Sequence, residues 1–243
     1  MATLYGANVV RDGLVFAWDG MNAKSWDGSS STHYDLVGRG SGTKNGANSL
    51  TRTNGHVLFN GGGTRVCTID FPDVNITVPT GNQGSWMFAH EFSDAGDIDH
   101  PAFGKETGST WDGTNGFVFG TGWGTDGPRW GIGSQAFTVY STVSSTTGDY
   151  RQAWQIYTVT YQRNTTDGLK TYLCDSNGNR LVDERDTGDF AIGSNAGALK
   201  IGSTVNRSGN WNGNMDFVHM WDRVLTQEEV NQNINATRGR FGI

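Results

Sequence analysis

The glycine-rich segment at residues 108–131 carries side chains of the types that bind sugars. Three tryptophans stand there among Gly, Asn and Asp. A flat indole ring can lie against the apolar face of a pyranose, and Asn or Asp can bond its hydroxyls. In a chain with 9 tryptophans, the alternative is that these rings fill the core or a subunit contact. The candidates for glycan contact are Trp111, Asn115, Trp123, Asp126 and Trp130.

A second candidate site is the acidic run SDAGDID, which brings Asp94, Asp97 and Asp99 close together in the chain. Oxygen-rich loops at the rim of a sandwich can gather the roughly six to eight ligands that Ca²⁺ takes. The alternative is a solvated acidic loop. The 5 histidines have none of the close spacings typical of zinc sites. Calcium is therefore the one cofactor for which the sequence offers candidate ligands.

The sequence offers no catalytic set of residues. A retaining glycosidase needs two carboxylates about 5–5.5 Å apart, which alternate positions on one strand would provide. Glu91 stands alone, because its neighbours on the same strand face are Ala89 and Ser93. The G-x-S-x-G turn of many serine hydrolases is also missing. We assign no catalytic residue and expect a protein that is not an enzyme.

Charge and hydropathy argue against two classes of partner. The chain has 243 residues, with 18 Lys and Arg against 24 Asp and Glu, and a formal net charge of −6. Nucleic-acid backbones need a basic surface, so a nucleic-acid partner is not indicated. No apolar run approaches the ~20 residues that span a bilayer. The first residues lack a basic stretch followed by an apolar one. We expect neither membrane insertion nor a secretory signal.

Short runs rich in aromatic and β-branched residues alternate with clusters of Gly, Asn, Asp and Ser. This spacing, without helical segments in between, is typical of a β-sandwich or jelly roll. Residues 19–54 read as a surface loop, and the SNGN run at 176–179 reads as a hairpin turn. The predicted strands cover residues 13–19, 56–61, 65–71, 85–92, 116–123, 129–134, 136–142, 154–163, 169–176, 198–203 and 215–222.

One helix is predicted near the end of the chain, over residues 227–236. Thr226 can cap its first turn, and Glu229 can reach back to the cap, which together form a capping box. Val230 and Ile234 are four residues apart and give the helix a narrow apolar stripe.

The two cysteines, Cys67 and Cys174, lie in predicted strands. Two are too few for a disulfide scaffold. A pair of buried free thiols is the simpler interpretation. The alternative is a single long-range disulfide, which would need an oxidising compartment.

The two ends of the chain carry a recognisable set of short motifs. Near the start these are Trp18, Asp19, Asn22, Ser25 and Trp26, followed by the turn at residues 35–38. Near the end they are the strand at 213–221, the RVLTQEE run at 223–229 and the RFG run at 240–242. Together they resemble the concanavalin A-like, laminin-G-like jelly-roll domains encoded by tailed bacteriophages, notably those of marine hosts.

The resemblance implies an antiparallel β jelly roll with one short C-terminal helix, formed by residues 1–243 as a single domain. It also implies a non-enzymatic protein of the virion surface, either a capsid decoration protein or a tail or fibre component. Its partners would be other virion proteins, a host-surface glycan and further copies of the chain. Synthesis would take place in the host cytoplasm. A lectin-like adhesin is the alternative function, and a glycoside hydrolase of the same fold is a third.

One departure from the family pattern concerns calcium. The family often has Phe-Asp-Gly followed shortly by further acidic residues near the third strand. This chain has Phe59, Asn60 and Gly61 there, followed by GGTR. Any role in calcium binding that the family's acidic residues have is therefore not expected at these positions of this chain.

Overall fold

The computed structural model is a sandwich of two antiparallel β-sheets, each with eight strands. It describes residues 8–38, 40–47, 49–60, 67–72, 79–92, 100–105, 116–121, 128–133, 135–138, 153–193, 197–203 and 211–243. The prediction of an all-β antiparallel sandwich with one short C-terminal helix is confirmed. The strands are β1 (Leu14–Asp19), β2 (Thr32–Tyr34), β3 (Ser41–Asn45), β4 (Leu50–Thr53), β5 (His56–Asn60), β6 (Thr68–Phe71), β7 (Gln83–Phe92), β8 (His100–Lys105), β9 (Phe117–Thr121), β10 (Pro128–Ile132), β11 (Gln135–Thr138), β12 (Gln155–Gln162), β13 (Leu169–Cys174), β14 (Arg180–Arg185), β15 (Leu199–Ile201) and β16 (Asn212–Trp221).

The first sheet has the order β14-β13-β12-β7-β16-β5-β4, and β1 also pairs with β16. One edge of β16 therefore serves two strands, with β5 at its start and β1 at its end. A bulge between Met215 and Phe217 lies where the partner of β16 changes from β5 to β1. There the buried Asp216 carboxylate accepts a hydrogen bond from the Val57 backbone at 2.9 Å and lies 2.9 Å from His56 Nδ1. Burial raises the pKa of Asp216, while these two partners oppose that rise.

The second sheet has the order β11-β10-β9-β8-β15-β6-β3-β2. The prediction that residues 19–54 form only a surface loop is wrong, because β2, β3 and β4 lie within it. These strands are short and lie at or next to sheet edges. Most of their side chains are at least partly exposed, as in β3, SGTKN. Polar edge strands of this kind lack the apolar alternation by which strands are recognised.

The core between the two sheets is built from aromatic rings. Phe88 on β7 contacts rings from both sheets, with centroid distances of 5.0 Å to Phe103, 5.7 Å to Trp130 and 5.5 Å to Tyr157. All four side chains are buried. Each such ring contributes about 2–3 kcal/mol through removal from water, and this packing holds the two sheets face to face.

A second apolar layer covers the outer face of the first sheet. Helix α1 (Gln227–Thr237) lies over it, with Val230 and Ile234 in the same buried cluster as Phe217 and Trp221 of β16. The predicted helix and its capping box are confirmed, and the helix extends one residue further than expected. Across the described ranges, no helix has the length and apolar character needed to cross a membrane.

The two cysteines lie in different layers of the structure. Cys67 belongs to the core between the sheets, and Cys174 belongs to the layer beneath the helix. Both are buried free thiols, so the simpler of the two interpretations is confirmed. Burial raises the pKa of Cys67 to about 11, which keeps that thiol protonated and unreactive at neutral pH.

Candidate functional site

The structure removes one of the predicted glycan contacts. Trp130 on β10 is fully buried between the sheets, and its Nε1 donates to Thr171 Oγ1 at 3.0 Å. Its ring packs on Phe88 and Phe119, so no face is left for a sugar. The prediction for Trp130 is therefore wrong, and the core-filling alternative holds for this ring. The other candidates, Trp111, Asn115, Trp123 and Asp126, lie outside the described residues.

The acidic candidates for calcium, Asp94, Asp97 and Asp99, also lie outside the described residues. Within the ranges that the structure describes, no three His, Cys, Asp or Glu side chains are grouped so that they could hold a metal ion. Glu91 lies at the end of β7, and its carboxylate accepts a hydrogen bond from the Asn214 amide at 2.7 Å. Its neighbours on the same strand face, Met87 and Ala89, are apolar and buried.

An open polar pocket of about 300 Å³ lies at one end of the sandwich. We call it the rim pocket. Four of its side chains are amides, and the other two are a guanidinium and a carboxylate. Amides both donate and accept hydrogen bonds, and the charged pair adds strong donors and a strong acceptor. The lining residues are Asn82, Gln83, Gln162, Arg163, Asn164 and Asp189.

Two neighbouring strands set the floor of the rim pocket. Gln83 begins β7 and lies opposite Gln162, which ends β12, in the antiparallel register. The backbone N–H of Arg163 donates to the Asn82 carbonyl at 2.8 Å and continues the pairing past the strand ends. Asn82, Gln83 and Gln162 all have exposed side chains. The sheet therefore presents a row of amides at the ends of these two strands without any cost in buried polar groups.

The turn from β12 to β13 is held by Thr187, which lies on the loop after β14. Thr187 Oγ1 donates to the Gln162 carbonyl at 2.5 Å and accepts from the Thr165 backbone at 3.0 Å. Asn164 has a φ of 51° and donates its backbone N–H to the Gly188 carbonyl. The two loops that form the pocket walls are thereby fixed to each other.

Replacement of Thr187 tests this connection between the walls. Thr187→Val keeps the shape of the side chain but removes its hydroxyl, leaving Thr165 N–H and the Gln162 carbonyl without their partner. We expect the free energy of unfolding to fall by about 1–2 kcal/mol in urea denaturation. Thr53→Val is the matched control, because Thr53 is exposed and its hydroxyl contacts only that of Thr51 in the described contacts. Equal effects of the two changes would contradict the assignment.

An ion pair organises the polar groups of the rim pocket. Arg163 Nε donates to Asp189 Oδ1 at 2.8 Å, and Nη2 lies 2.7 Å from the same oxygen. Arg163 Nη1 donates to the Asn82 side-chain oxygen at 3.0 Å. The Arg163 side chain is half-buried and the Asp189 side chain is 75% exposed. The guanidinium is thus held by partners from two other segments, and the carboxylate faces solvent.

An exposed aromatic ring stands next to this pair in the chain. Phe190 is 41% exposed, whereas most aromatic rings among the described residues are buried. Its backbone carbonyl accepts from the buried Tyr161 hydroxyl at 2.5 Å, and burial raises the pKa of that hydroxyl, which stays a donor at neutral pH. Two hydrogen bonds of 2.7 Å between Gly81 and Ile192 hold the loop from the other side.

The β10–β11 turn supports the same loop from the second sheet. A Cβ at Gly133 would lie 2.6 Å from the Ala191 carbonyl, and Gly133 has a φ of 60°. Only glycine allows this close backbone approach without displacement. The segment before β7, the β10–β11 turn and Tyr161 together hold the loop that carries the exposed Phe190.

Sequence reasoning missed the rim pocket entirely. Its side chains come from three segments, and the partners of Arg163 are separated from it by 26 and 81 residues. Asn, Gln and Asp at strand ends are the ordinary composition of turns and give no signal of their own. The one local hint was Phe190, a bulky aromatic in a polar, loop-like run.

The sequence matches the concanavalin A-like lectin/glucanases superfamily over residues 74–231. The chain belongs to this superfamily. The laminin-G-like, concanavalin A-like part of the sequence resemblance is thereby confirmed. A comparison with curated proteins gave no match.

Solved structures of this superfamily fold include enzymes and binding domains. Domain 4 of a GH43 extracellular arabinanase from Geobacillus stearothermophilus, in complex with arabinotriose, has a TM-score of 0.56 at 14% identity, over 92% of this chain and 99% of that one. Trypanosoma rangeli sialidase has a TM-score of 0.59 at 13% identity, over 96% of this chain and 34% of the sialidase chain. The binding domain of Paraclostridial Mosquitocidal Protein 1 has a TM-score of 0.59 at 12% identity, over 93% of this chain and 52% of the other chain. At these identities the likeness shows the fold.

The present chain thus spans about a third of the sialidase and about half of the toxin binding domain. Members of the superfamily fold serve both as parts of enzymes and as binding modules. Fold alone therefore does not assign an activity, and the function has to be argued from the site.

Proposed function

We propose that the chain is a non-enzymatic glycan-binding module and that the rim pocket is its binding site. The observation that carries this proposal is the joint presence of the fixed Arg163–Asp189 pair, four amides and the exposed ring of Phe190. Sugar sites combine a few oriented polar groups with an apolar surface for the ring face. The rim pocket provides the oriented polar groups, and Phe190, which follows Asp189 in the chain, provides an exposed ring.

The chemistry of the lining matches hydroxyl groups in particular. A sugar hydroxyl donates one hydrogen bond and accepts others, so it pairs best with groups that offer both functions nearby. Asp189 offers acceptor oxygens, Arg163 offers donors, and Asn164 and Gln162 offer both. The open shape suits a chain end or a side branch of a polysaccharide. A deep apolar ligand would have no matching surface there.

The superfamily likeness supports a carbohydrate ligand. The arabinanase domain that resembles this chain over almost its whole length was solved with arabinotriose. The sialidase and the toxin binding domain share the same sandwich. These likenesses support the class of ligand, while the residues of the rim pocket are argued from this chain alone.

The proposal that the chain is not an enzyme rests on its carboxylates. Glycoside hydrolysis needs a positioned pair, with one acid and one base or nucleophile. Glu91, the single strand carboxylate considered for this role, is hydrogen-bonded to Asn214 and has apolar neighbours on its strand face. In the rim pocket, Asp189 is engaged with Arg163 as an ion pair. Neither carboxylate is placed like a general acid.

We further propose that the module belongs to the surface of a tailed-phage virion. This part rests on the motifs at the two ends of the chain, which resemble phage-encoded domains of this fold. The role would be capsid decoration or a tail or fibre component that contacts host-surface glycans. Mass spectrometry of purified particles should find the chain in stoichiometric amounts. Its absence from intact particles would contradict the virion role and leave glycan binding untouched.

A glycan array tests the binding proposal directly. We expect the protein to bind a subset of oligosaccharides, and Phe190→Ala to weaken that binding by about tenfold through loss of ring contact. Tyr34→Ala is the matched control, because Tyr34 is an aromatic with 52% exposure on an edge strand of the other sheet. It should leave binding unchanged. No binding to any glycan, or equal losses in both variants, would contradict the proposal.

A further inference from the structure

We infer that the rim pocket selects neutral glycans over anionic ones, and that Asp189 is the residue that sets this preference. The inference rests on the proposed function, because it names the class of glycan that the same pocket would take. It goes beyond the fold, since the superfamily likeness gives no indication of ligand charge.

The first observation is that the guanidinium of Arg163 is already occupied. An arginine recognises a carboxylate or sulfate best through two parallel N–H donors. In this pocket Nε and Nη2 of Arg163 both face Asp189 Oδ1, at 2.8 and 2.7 Å. Nη1 donates to Asn82. An anionic sugar would have to displace the protein's own carboxylate before it gained the same contact.

The second observation is the position of that carboxylate. Asp189 is 75% exposed, and Oδ2 makes no hydrogen bond within the part of the chain that the structure describes. A sugar acid bound in the pocket would bring its negative charge within a few ångströms of Asp189. At that distance and near the surface, like-charge repulsion weakens binding by about tenfold or more.

The third observation is that no lining side chain other than Arg163, which Asp189 already engages, carries a positive charge. The other four lining side chains are uncharged amides. The loops that form the walls carry Asp167 and Asp186, both exposed, with the Asp167 backbone N–H bonded to Asp186 Oδ1 at 3.0 Å. The chain as a whole has a formal net charge of −6. Local and overall charge therefore both disfavour an anionic ligand.

For a neutral sugar the same carboxylate is an advantage. The free oxygen of Asp189 can accept hydrogen bonds from two adjacent hydroxyls, and charge-assisted bonds of this kind are stronger than neutral ones. The ion pair with Arg163 keeps the carboxylate oriented. Asp189 therefore both strengthens the binding of neutral sugars and weakens the binding of acidic ones.

The test compares neutral and acidic members of matched glycan pairs. We would print lactose, arabinotriose and other neutral oligosaccharides beside their sialylated or uronic acid-containing counterparts. Binding of the hits and their counterparts would then be measured by calorimetry. The wild-type protein should bind neutral members at least about tenfold more tightly than acidic ones. The preference should shrink at high salt, because exposed charges are screened.

Asp189→Asn supplies the decisive variant. It removes the repelling charge and frees Arg163, so neutral glycans should bind several-fold more weakly and acidic ones more tightly. The neutral-to-acidic ratio should fall by about tenfold or more. Glu228→Gln is the control, because it removes an equal charge from an exposed position on α1. It should leave the ratio within about twofold of wild type.

The outcomes separate this inference from the proposed function. Equal or tighter binding of acidic glycans by the wild-type protein would overturn the neutral preference and leave glycan binding intact. A neutral preference that Asp189→Asn does not alter would overturn the role of Asp189. Binding to no glycan at all would overturn the proposed function, and the inference with it.

Discussion

Lowering the pH from 7.5 to 5 should destabilise the protein by several kcal/mol. Three histidines are buried, and desolvation lowers the pKa of His33 and of His219 to about 4 and that of His90 to about 3. In the unfolded chain these pKa values return to about 6.5. The unfolded state therefore binds more protons between pH 6.5 and 4, and stability falls as the pH drops through that range.

The size of this effect follows from the same linkage. Each buried histidine costs about 1.4 kcal/mol per pH unit well below 6.5, so the three together approach about 4 kcal/mol per unit. Domains are commonly stable by about 5–15 kcal/mol, which places unfolding in the mildly acidic range. Urea denaturation at a series of pH values between 7.5 and 4.5 measures the slope.

His90 offers the matched variant for this experiment. Its ring packs against those of Phe88 and Tyr157, with centroid distances of 5.8 and 5.3 Å, and a phenyl ring has a similar shape. His90→Phe should reduce the pH slope by about 1.4 kcal/mol per unit between pH 6 and 4.5. A wild-type stability that stays flat below pH 6.5, or a slope that His90→Phe leaves unchanged, would contradict this assignment.

Gly168→Ala should destabilise the fold and abolish binding at the rim pocket. A Cβ at Gly168 would lie 2.4 Å from the Gln162 carbonyl and 2.5 Å from Thr187 Oγ1. The turn between β12 and β13 cannot accept a methyl group without moving away from Thr187. We expect a loss of about 2–3 kcal/mol in unfolding free energy, together with loss of the fixed Arg163–Asp189 geometry.

Gly239→Ala is the control for this substitution, because a Cβ there would meet no atom within 4 Å. Urea denaturation should separate the two variants, and glycan binding measured on the folded fraction should be lost only in Gly168→Ala. A Gly168→Ala protein with wild-type stability and wild-type binding would contradict the geometry described for the pocket wall.

The sequence predicted those parts of the fold that are encoded locally. The capping box of Thr226 and Glu229 placed the helix start correctly, because both hydrogen bonds join residues three apart. Large side chains alternate along β12, as expected for a strand covered on both faces. Its odd-numbered rings, such as Tyr157, lie in the inner core, and Ile156 lies beneath the helix.

Family resemblance worked for the fold because its motifs join the chain ends. Arg240 holds Asp19 with hydrogen bonds of 2.9 and 3.1 Å, and Trp221 Nε1 donates to the Val10 carbonyl at 3.0 Å. Arg223 pairs with Glu229 in the same way at the helix start. These residues stabilise the fold, so they identify the architecture and carry no information on the ligand. That the chain forms a single domain stays a prediction.

The binding site could not be predicted because it is assembled from distant segments. Tryptophans were expected to mark the sugar site, yet Trp130 is in the core, where the largest side chains contribute most to stability. The rim pocket instead uses common turn residues that only the fold brings together. The exposure of Phe190 and the ion pair of its chain neighbour Asp189 are visible in the structure. Neither feature can be read from the sequence.

The most direct test is a crystal structure of the protein soaked with the tightest-binding neutral glycan from the array. We predict that a sugar residue occupies the rim pocket, with hydroxyls bonded to Asp189 and Arg163 and a ring face on or near Phe190. Density for the glycan at another surface, such as the segment 108–131, with an empty rim pocket, would contradict the assignment of this site.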